Sequence, residues 1–160
     1  MPDPRRLVYW DACVFLDYVN EAGDKMPVLD VLIDRAGPRG DIEIVTSMMS
    51  IAEVAFGRLD QTGQGFDPTV EARIDALWTD PIINLVDIHR IITFQARDLI
   101  RTAKLAGQGL SGADAIHLAT AQRMQVAEFH TYDTRLFRFS MRFGFPVVEP
   151  NTPQRRLPGT

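Results

Sequence analysis

The chain has 160 residues, 46% hydrophobic and 24% charged, the profile of one soluble globular domain with a sizeable core. No run approaches the roughly 18 uninterrupted apolar residues of a membrane span, and the start M-P-D-P-R-R lacks a hydrophobic signal segment, so a cytoplasmic protein with no membrane partner is expected. A formal net charge of -4 argues against a generally basic nucleic-acid binder, and Cys13 with 3 His makes neither a disulfide nor a cluster of zinc-site spacing, so any metal is expected on oxygen ligands.

In chain order, residues 7–10 form an apolar run of strand length and β-type composition, followed at once by Asp11. Residues 13–19 turn back as a helix. A second helix is expected from Pro27, with Leu29, Leu32, Ile33 and Ala36 on one face and a stop at Gly37, followed by a Gly-Pro-Arg-Gly turn. Residues 42–45 read as the second strand, after which Ser47 or Ser50 opens a helix containing Glu53 and Val54. Ser50-Ile51-Ala52-Glu53 has the form of a capping box. Residues 61–65 read as a loop, and Asp67-Pro68 as the N-cap and first residue of a helix reaching Trp78.

Residues 82–88 are the third strand candidate. Ile92, Ala96, Leu99, Ala103 and Ala106 then recur at helical spacing before Gly107. Ser111 and Asp114 open the next helix in a Ser-x-x-acid pattern, and a carboxylate there also suits the positive end of the helix dipole. Residues 126–131 give a fourth strand, residues 133–145 a turn and short helix, and Val147-Val148 a last strand. One domain over residues 1–150 with a tail at 151–160 is expected. Alternating strands and helices imply an α/β domain with a mainly parallel sheet and helices on both faces.

Parallel sheets bind ligands at the carboxyl ends of their strands. Asp11 and Asp133 lie just beyond strand ends, Glu53 sits early in the helix leaving the second strand, and the Asp114 helix leads back to the fourth strand. Four carboxylates are therefore expected on one rim. Like charges a few Å apart repel by several kcal/mol at protein-like dielectric, so cations or protons must offset them. Mg²⁺ or Mn²⁺ favours carboxylate and water oxygens and bridges to phosphate, which points to phosphoryl transfer or phosphodiester hydrolysis. Bound divalent cations would also reduce the weight of the negative net charge.

Four blocks in order, Y-W-D-A-C-V-F-L-D-Y-V-N, T-S-M-M-S-I-A-E-V, G-A-D-A-I-H-L-A-T-A and H-T-Y-D-T-R-L-F, resemble the PIN-domain ribonucleases over residues 7–148. The resemblance implies a three-layer α/β/α fold and a Mg²⁺- or Mn²⁺-dependent endoribonuclease acting on single-stranded RNA. It also implies a homodimer and, by analogy to VapC-type toxins of toxin–antitoxin pairs, an inhibitory antitoxin partner. Carried over, Asp11 and Asp114 are the metal-binding residues, Glu53 and Asp133 complete the acidic site, and Thr131 is the orienting hydroxyl. Ala12 and Cys13 depart from the family, where Thr or Ser and then Asn often follow the first Asp. The alternative is a catalytically weak PIN-like module that binds RNA or protein.

Arg135, Arg138 and Arg142 interleave with Phe137, Phe139, Phe143 and Phe145. They read either as phosphate and base contacts or, with more weight, as an amphipathic segment with Phe inward and Arg outward. His117, one turn past Asp114, is expected in the core or behind the site rather than in proton transfer. Cys13 is expected as a small buried side chain, not a nucleophile. Asp87 after the third strand raises a phosphoacceptor reading, which the lack of an acidic pair after the first strand and of a Lys after the last disfavours.

Overall fold

The computed structural model of the chain describes residues 4–55 and 67–152; the loop expected at 61–65 and most of the expected tail lie outside them. The elements are β1 (Arg6–Trp10), α1 (Ala12–Val19), α2 (Met26–Ala36), β2 (Ile42–Ser47), α3 (Met49–Glu53), α4 (Pro68–Thr79), β3 (Ile83–Val86), α5 (Arg90–Leu105), α6 (Gly112–Met124), β4 (Glu128–His130), the 3₁₀ turn η1 (Thr134–Phe139) and β5 (Val147–Val148). The strands form one sheet in the order β3-β2-β1-β4-β5. Every pairing is parallel.

Strand alternation divides the core between the two sheet faces. Val8, Trp10, Ile42, Ile44 and Ile83 point to one face and pack with Phe15, Leu29, Leu32, Ile74 and Leu77 from α1, α2 and α4. Tyr9, Val45, Phe129 and Val147 point to the other, against Ile92 and Leu99 of α5, Leu118 of α6, and Leu136 and Phe139 of η1. This is the expected three-layer α/β/α arrangement. Each fully buried Phe or Leu contributes about 1.5–3 kcal/mol of apolar burial.

The strand order also locates the ligand edge. From β1 the chain adds β2 and β3 on one side and later β4 and β5 on the other, with the connecting helices changing face, as crossovers of one hand require. The reversal leaves a crevice at the carboxyl ends of β1 and β4. Asp11 follows β1 there, with its N–H donating to His130 O at 3.3 Å, and Thr131 follows β4.

Several local expectations are corrected. Ser50 does not cap: α3 begins at Met49, Met49 N–H donates to Ser47 Oγ at 3.2 Å, and the buried Ser50 hydroxyl meets Thr46 Oγ1 at 2.7 Å. The expected stop of α2 at Gly37 holds, in extended backbone, while the steric demand falls on Gly40, where an added Cβ would stand 1.6 Å from Arg35 O. Strands β3 and β4 are shorter than their apolar runs. The caps at Asp67 and Ser111 form as read, with Thr69 N–H donating to Asp67 Oδ1 at 2.9 Å and Asp114 N–H to Ser111 Oγ at 3.1 Å.

Candidate functional site

Asp11 is 6% exposed at the head of α1, in the crevice between β1 and β4. The Cys13 thiol donates to its Oδ1 at 2.8 Å. Burial raises the Asp11 carboxyl above its ordinary range, while Cys13, Thr131 and the nearby His117 ring pull it partly back. No Lys or Arg among the described residues forms an ion pair with it. A carboxylate taken out of water without a cationic partner is unfavourable, and this one lies at the ligand edge of the sheet.

Cys13 supplies a polar contact that its residue type did not suggest. Its sulfur accepts from Tyr132 N–H at 3.2 Å and stands 3.3 Å from Thr131 Oγ1. Burial and the neighbouring Asp11 push the thiol well above its ordinary value, so it stays protonated as a donor, as expected of a non-nucleophilic Cys. Thr131 Oγ1 also accepts from Asp133 N–H at 2.9 Å. The hydroxyl thus ties the loop after β4 together beside Asp11.

Glu53 closes α3, and both of its carboxylate oxygens receive His117 Nε2, at 3.2 and 3.1 Å. His117 is buried on α6, and its Nδ1 lies 2.6 Å from the Tyr9 hydroxyl. That hydroxyl accepts from Ser47 N–H at 3.0 Å. Burial pushes the Tyr9 phenol far above its ordinary value, so it keeps its proton. Tyr9 is two residues before Asp11, which brings Asp11 and Glu53 to one inner half of the site; both act electrostatically on the Tyr9 phenol.

Asp114 and Asp133 form the outer half. Asp114 Oδ2 accepts from the Ser111 hydroxyl at 2.7 Å, completing a side-chain version of the capping box. Asp133 accepts from Arg135 through Nε at 2.9 Å and Nη2 at 2.6 Å, and this hydrogen-bonded pairing holds its carboxyl below the usual range. Arg135 also feels the charge of Asp114, though among the described residues it pairs only with Asp133.

Among the described residues no three His, Cys, Asp or Glu side chains lie close enough to share one metal ion. The donor set still suits a hard divalent cation, which is commonly bound by one or two carboxylates with water and substrate phosphate completing its shell. Asp11, acidic, buried and without a cationic partner, fits that requirement.

The segment after Asp133 takes its amphipathic form. Leu136, Phe139, Phe143 and Phe145 are buried, while Arg138 and Arg142 are exposed and bond Gly109 O and the Gln108 side chain of the α5–α6 connection. Asp87 is exposed beyond β3. The functional grouping that sequence reasoning missed is Tyr9, His117 and Glu53. Its signal was present only as His117 one turn from Asp114, because the partners are 108 and 64 positions away in the chain.

A PIN-domain family model matches residues 8–140. No curated protein matches the chain. Among solved structures, the chain is similar to the VapC20 toxin of Mycobacterium tuberculosis, described as cleaving the sarcin-ricin loop, with 12% identity and a TM-score of 0.59 over 79% of this chain and 89% of that one. It is similar also to a toxin–antitoxin complex from Klebsiella pneumoniae, with 23% identity and a TM-score of 0.58 over 91% and 99% of the two chains. VapBC2 from Rickettsia felis, bound to promoter DNA, gives 12% identity and a TM-score of 0.62 over 89% and 97%. At these identities the structural likeness establishes the fold.

Proposed function

Because the chain belongs to the PIN-domain family, we propose that it is a divalent-metal-dependent endoribonuclease that hydrolyses phosphodiester bonds in single-stranded RNA, as the toxin of a toxin–antitoxin pair. The observation that carries this reading is the buried Asp11 carboxylate at the crevice between β1 and β4, unpaired by any Lys or Arg among the described residues. The toxin and toxin–antitoxin structures among its neighbours support the biological role and an antitoxin partner. A homodimer belongs to the same reading, and sedimentation velocity checks it.

In this reading Asp11 and Asp114 hold Mg²⁺ or Mn²⁺, with Glu53 and Asp133 completing the acidic rim. The cation, when bound, supplies positive charge to a phosphodiester oxygen and eases deprotonation of water. Glu53 has acceptor capacity beyond its His117 bond and orients an attacking water. Thr131 fixes the loop carrying Asp133 beside Asp11 through the Asp133 N–H bond. Cys13 holds Asp11 Oδ1 from the side of α1, where the family often has a hydroxyl or amide.

The binding-module alternative is favoured by two observations: Asp133 is engaged by Arg135, and no three acidic, His or Cys side chains among the described residues converge on one ion. Titration of Mg²⁺ or Mn²⁺ against labelled single-stranded RNA separates the two. Metal-dependent cleavage that is lost in Asp11→Asn supports the nuclease. Tight RNA binding without cleavage at any metal concentration supports the module.

A further inference from the structure

We infer that His117 is a positioning residue for Glu53, fixing its carboxylate relative to Asp11 through a buried path that starts at the sheet backbone. This rests on the nuclease reading for its consequence, but its geometry is independent of it. The path runs from Ser47 N–H to the Tyr9 hydroxyl at 3.0 Å, from that hydroxyl to His117 Nδ1 at 2.6 Å, and from His117 Nε2 to Glu53 at 3.1 Å.

Hydrogen accounting fixes the direction of the bond to Glu53: a carboxylate accepts, so His117 Nε2 carries a hydrogen. The Tyr9 oxygen accepts from Ser47 N–H and meets His117 Nδ1, so it anchors the far side of the ring to the sheet backbone. Tyr9 is itself closely packed: it is fully buried, stacked on Phe129 at 4.8 Å and in edge contact with the His117 ring at 5.8 Å.

Glu53 needs this support. It is the last residue of a five-residue helix, and its side chain is 32% exposed against 3% for His117. A flexible side chain at a frayed helix end has little to define its carboxylate except an outside donor. His117 provides that donor from α6, one turn beyond Asp114, while Tyr9 provides its register from β1, two residues before Asp11. One imidazole therefore links the elements that carry three of the four acids.

Three variants test the assignment. His117→Gln keeps an N–H near the Nε2 position, His117→Asn keeps a polar atom near Nδ1 but falls short of Glu53, and His117→Leu removes both. In the RNA-free protein, Mn²⁺ affinity measured by calorimetry should weaken roughly 10–100-fold in the Asn and Leu variants, the usual scale for loss of a ligand-orienting partner. It should recover to within about 3-fold of wild type in His117→Gln, judged on that same scale. In a Glu53→Ala background, His117→Asn should cause no further loss, which a general folding defect would not reproduce. If His117→Leu fails to fold, His117→Asn carries the comparison.

Nitrogen NMR of the metal-free wild type gives a readout independent of metal. It should show Nε2 protonated, with a resonance that moves in Glu53→Gln. A ring without a proton on Nε2, or Mn²⁺ affinity equal in all His117 variants, overturns the positioning role. A wild type with Nε2 protonated that binds neither Mn²⁺ nor Mg²⁺ keeps the bond to Glu53 but overturns the nuclease reading.

Discussion

The inner and outer halves of the site carry the same residue types at the same rim, yet their carboxylates are satisfied differently. In the inner half, Asp11 is buried and held by neutral donors, and Glu53 rests on a histidine whose other nitrogen is spoken for. In the outer half, Asp114 is part of a helix cap and Asp133 is neutralised by Arg135. Position at the sheet edge makes a carboxylate available to a ligand; burial without a cationic partner makes a cation favourable there. The outer acids have protein partners already, so their contribution depends on giving them up or sharing them.

The largest test of this contrast is Asp11→Asn. It should lower metal-dependent cleavage by at least about 100-fold, the scale on which loss of a preorganised electrostatic group is felt. It should also raise the melting temperature of the metal-free protein by a few degrees, since about 1 kcal/mol shifts a domain of this size by roughly 2–4 °C. The sign follows from the raised carboxyl: the folded state holds its proton more tightly than the unfolded state. Stability therefore falls as pH rises from the unfolded carboxylate value through the folded one, and the penalty is complete above it. Thermal melts against pH should show that slope in wild type and its loss in Asp11→Asn.

Asp114→Asn comes next. Cleavage should fall roughly 10–100-fold, the effect expected for weakened metal affinity, while Ser111→Ala should leave cleavage within about 3-fold on the same scale. Ser111→Ala should instead cost about 1 kcal/mol of stability, measurable by urea unfolding, because it removes the acceptor for Asp114 N–H. Equal losses of activity in the two variants would show that Asp114 serves only as a cap.

Arg135→Ala should have the smallest effect. Asp133 is partly buried, its exposed partner Arg135 lowers its carboxyl, and the stability from this pair is present above the unfolded carboxylate value and lost as pH falls through the lower folded value. Removing Arg135 should flatten that acid limb slightly, with the difference shrinking in high salt. It should also free Asp133, so Mn²⁺ affinity should hold or rise. A marked fall would make Arg135 part of the site in its own right.

The fold was legible because β1 and β2 are apolar runs ended by polar residues and the helices carry regular apolar spacing. The strand order was not, since no local pattern states that β4 lies beside β1. The fourth run, 126–131, narrowed to Glu128–His130 because pairing with two short neighbours decides where a strand ends, not apolarity alone. Ser50 misled as a cap because a serine followed by Glu three residues later fits the capping pattern wherever it falls, whereas tertiary packing turned its hydroxyl to Thr46.

Within the site, the place of Asp11 after the first strand was legible, whereas Thr131 was read as the end of the fourth strand and entered only through the family resemblance. Cys13 was read as the loss of a polar neighbour, but a half-buried thiol with a carboxylate on one side and a backbone N–H on the other acts as one. The Tyr9–His117–Glu53 path and the Asp133–Arg135 pairing were not legible, because both depend on side-chain directions. The basic-aromatic segment shows the reverse case, where periodicity alone was enough to place Phe inward.

The most direct measurement is a Mg²⁺ and Mn²⁺ titration of the purified wild type and Asp11→Asn against labelled single-stranded RNA, with binding and cleavage followed in the same samples. Cleavage that rises with metal in wild type and disappears in Asp11→Asn, with RNA binding retained, is the predicted result. Cleavage that persists without Asp11, or RNA bound tightly and never cut by wild type at any metal concentration, would contradict the account.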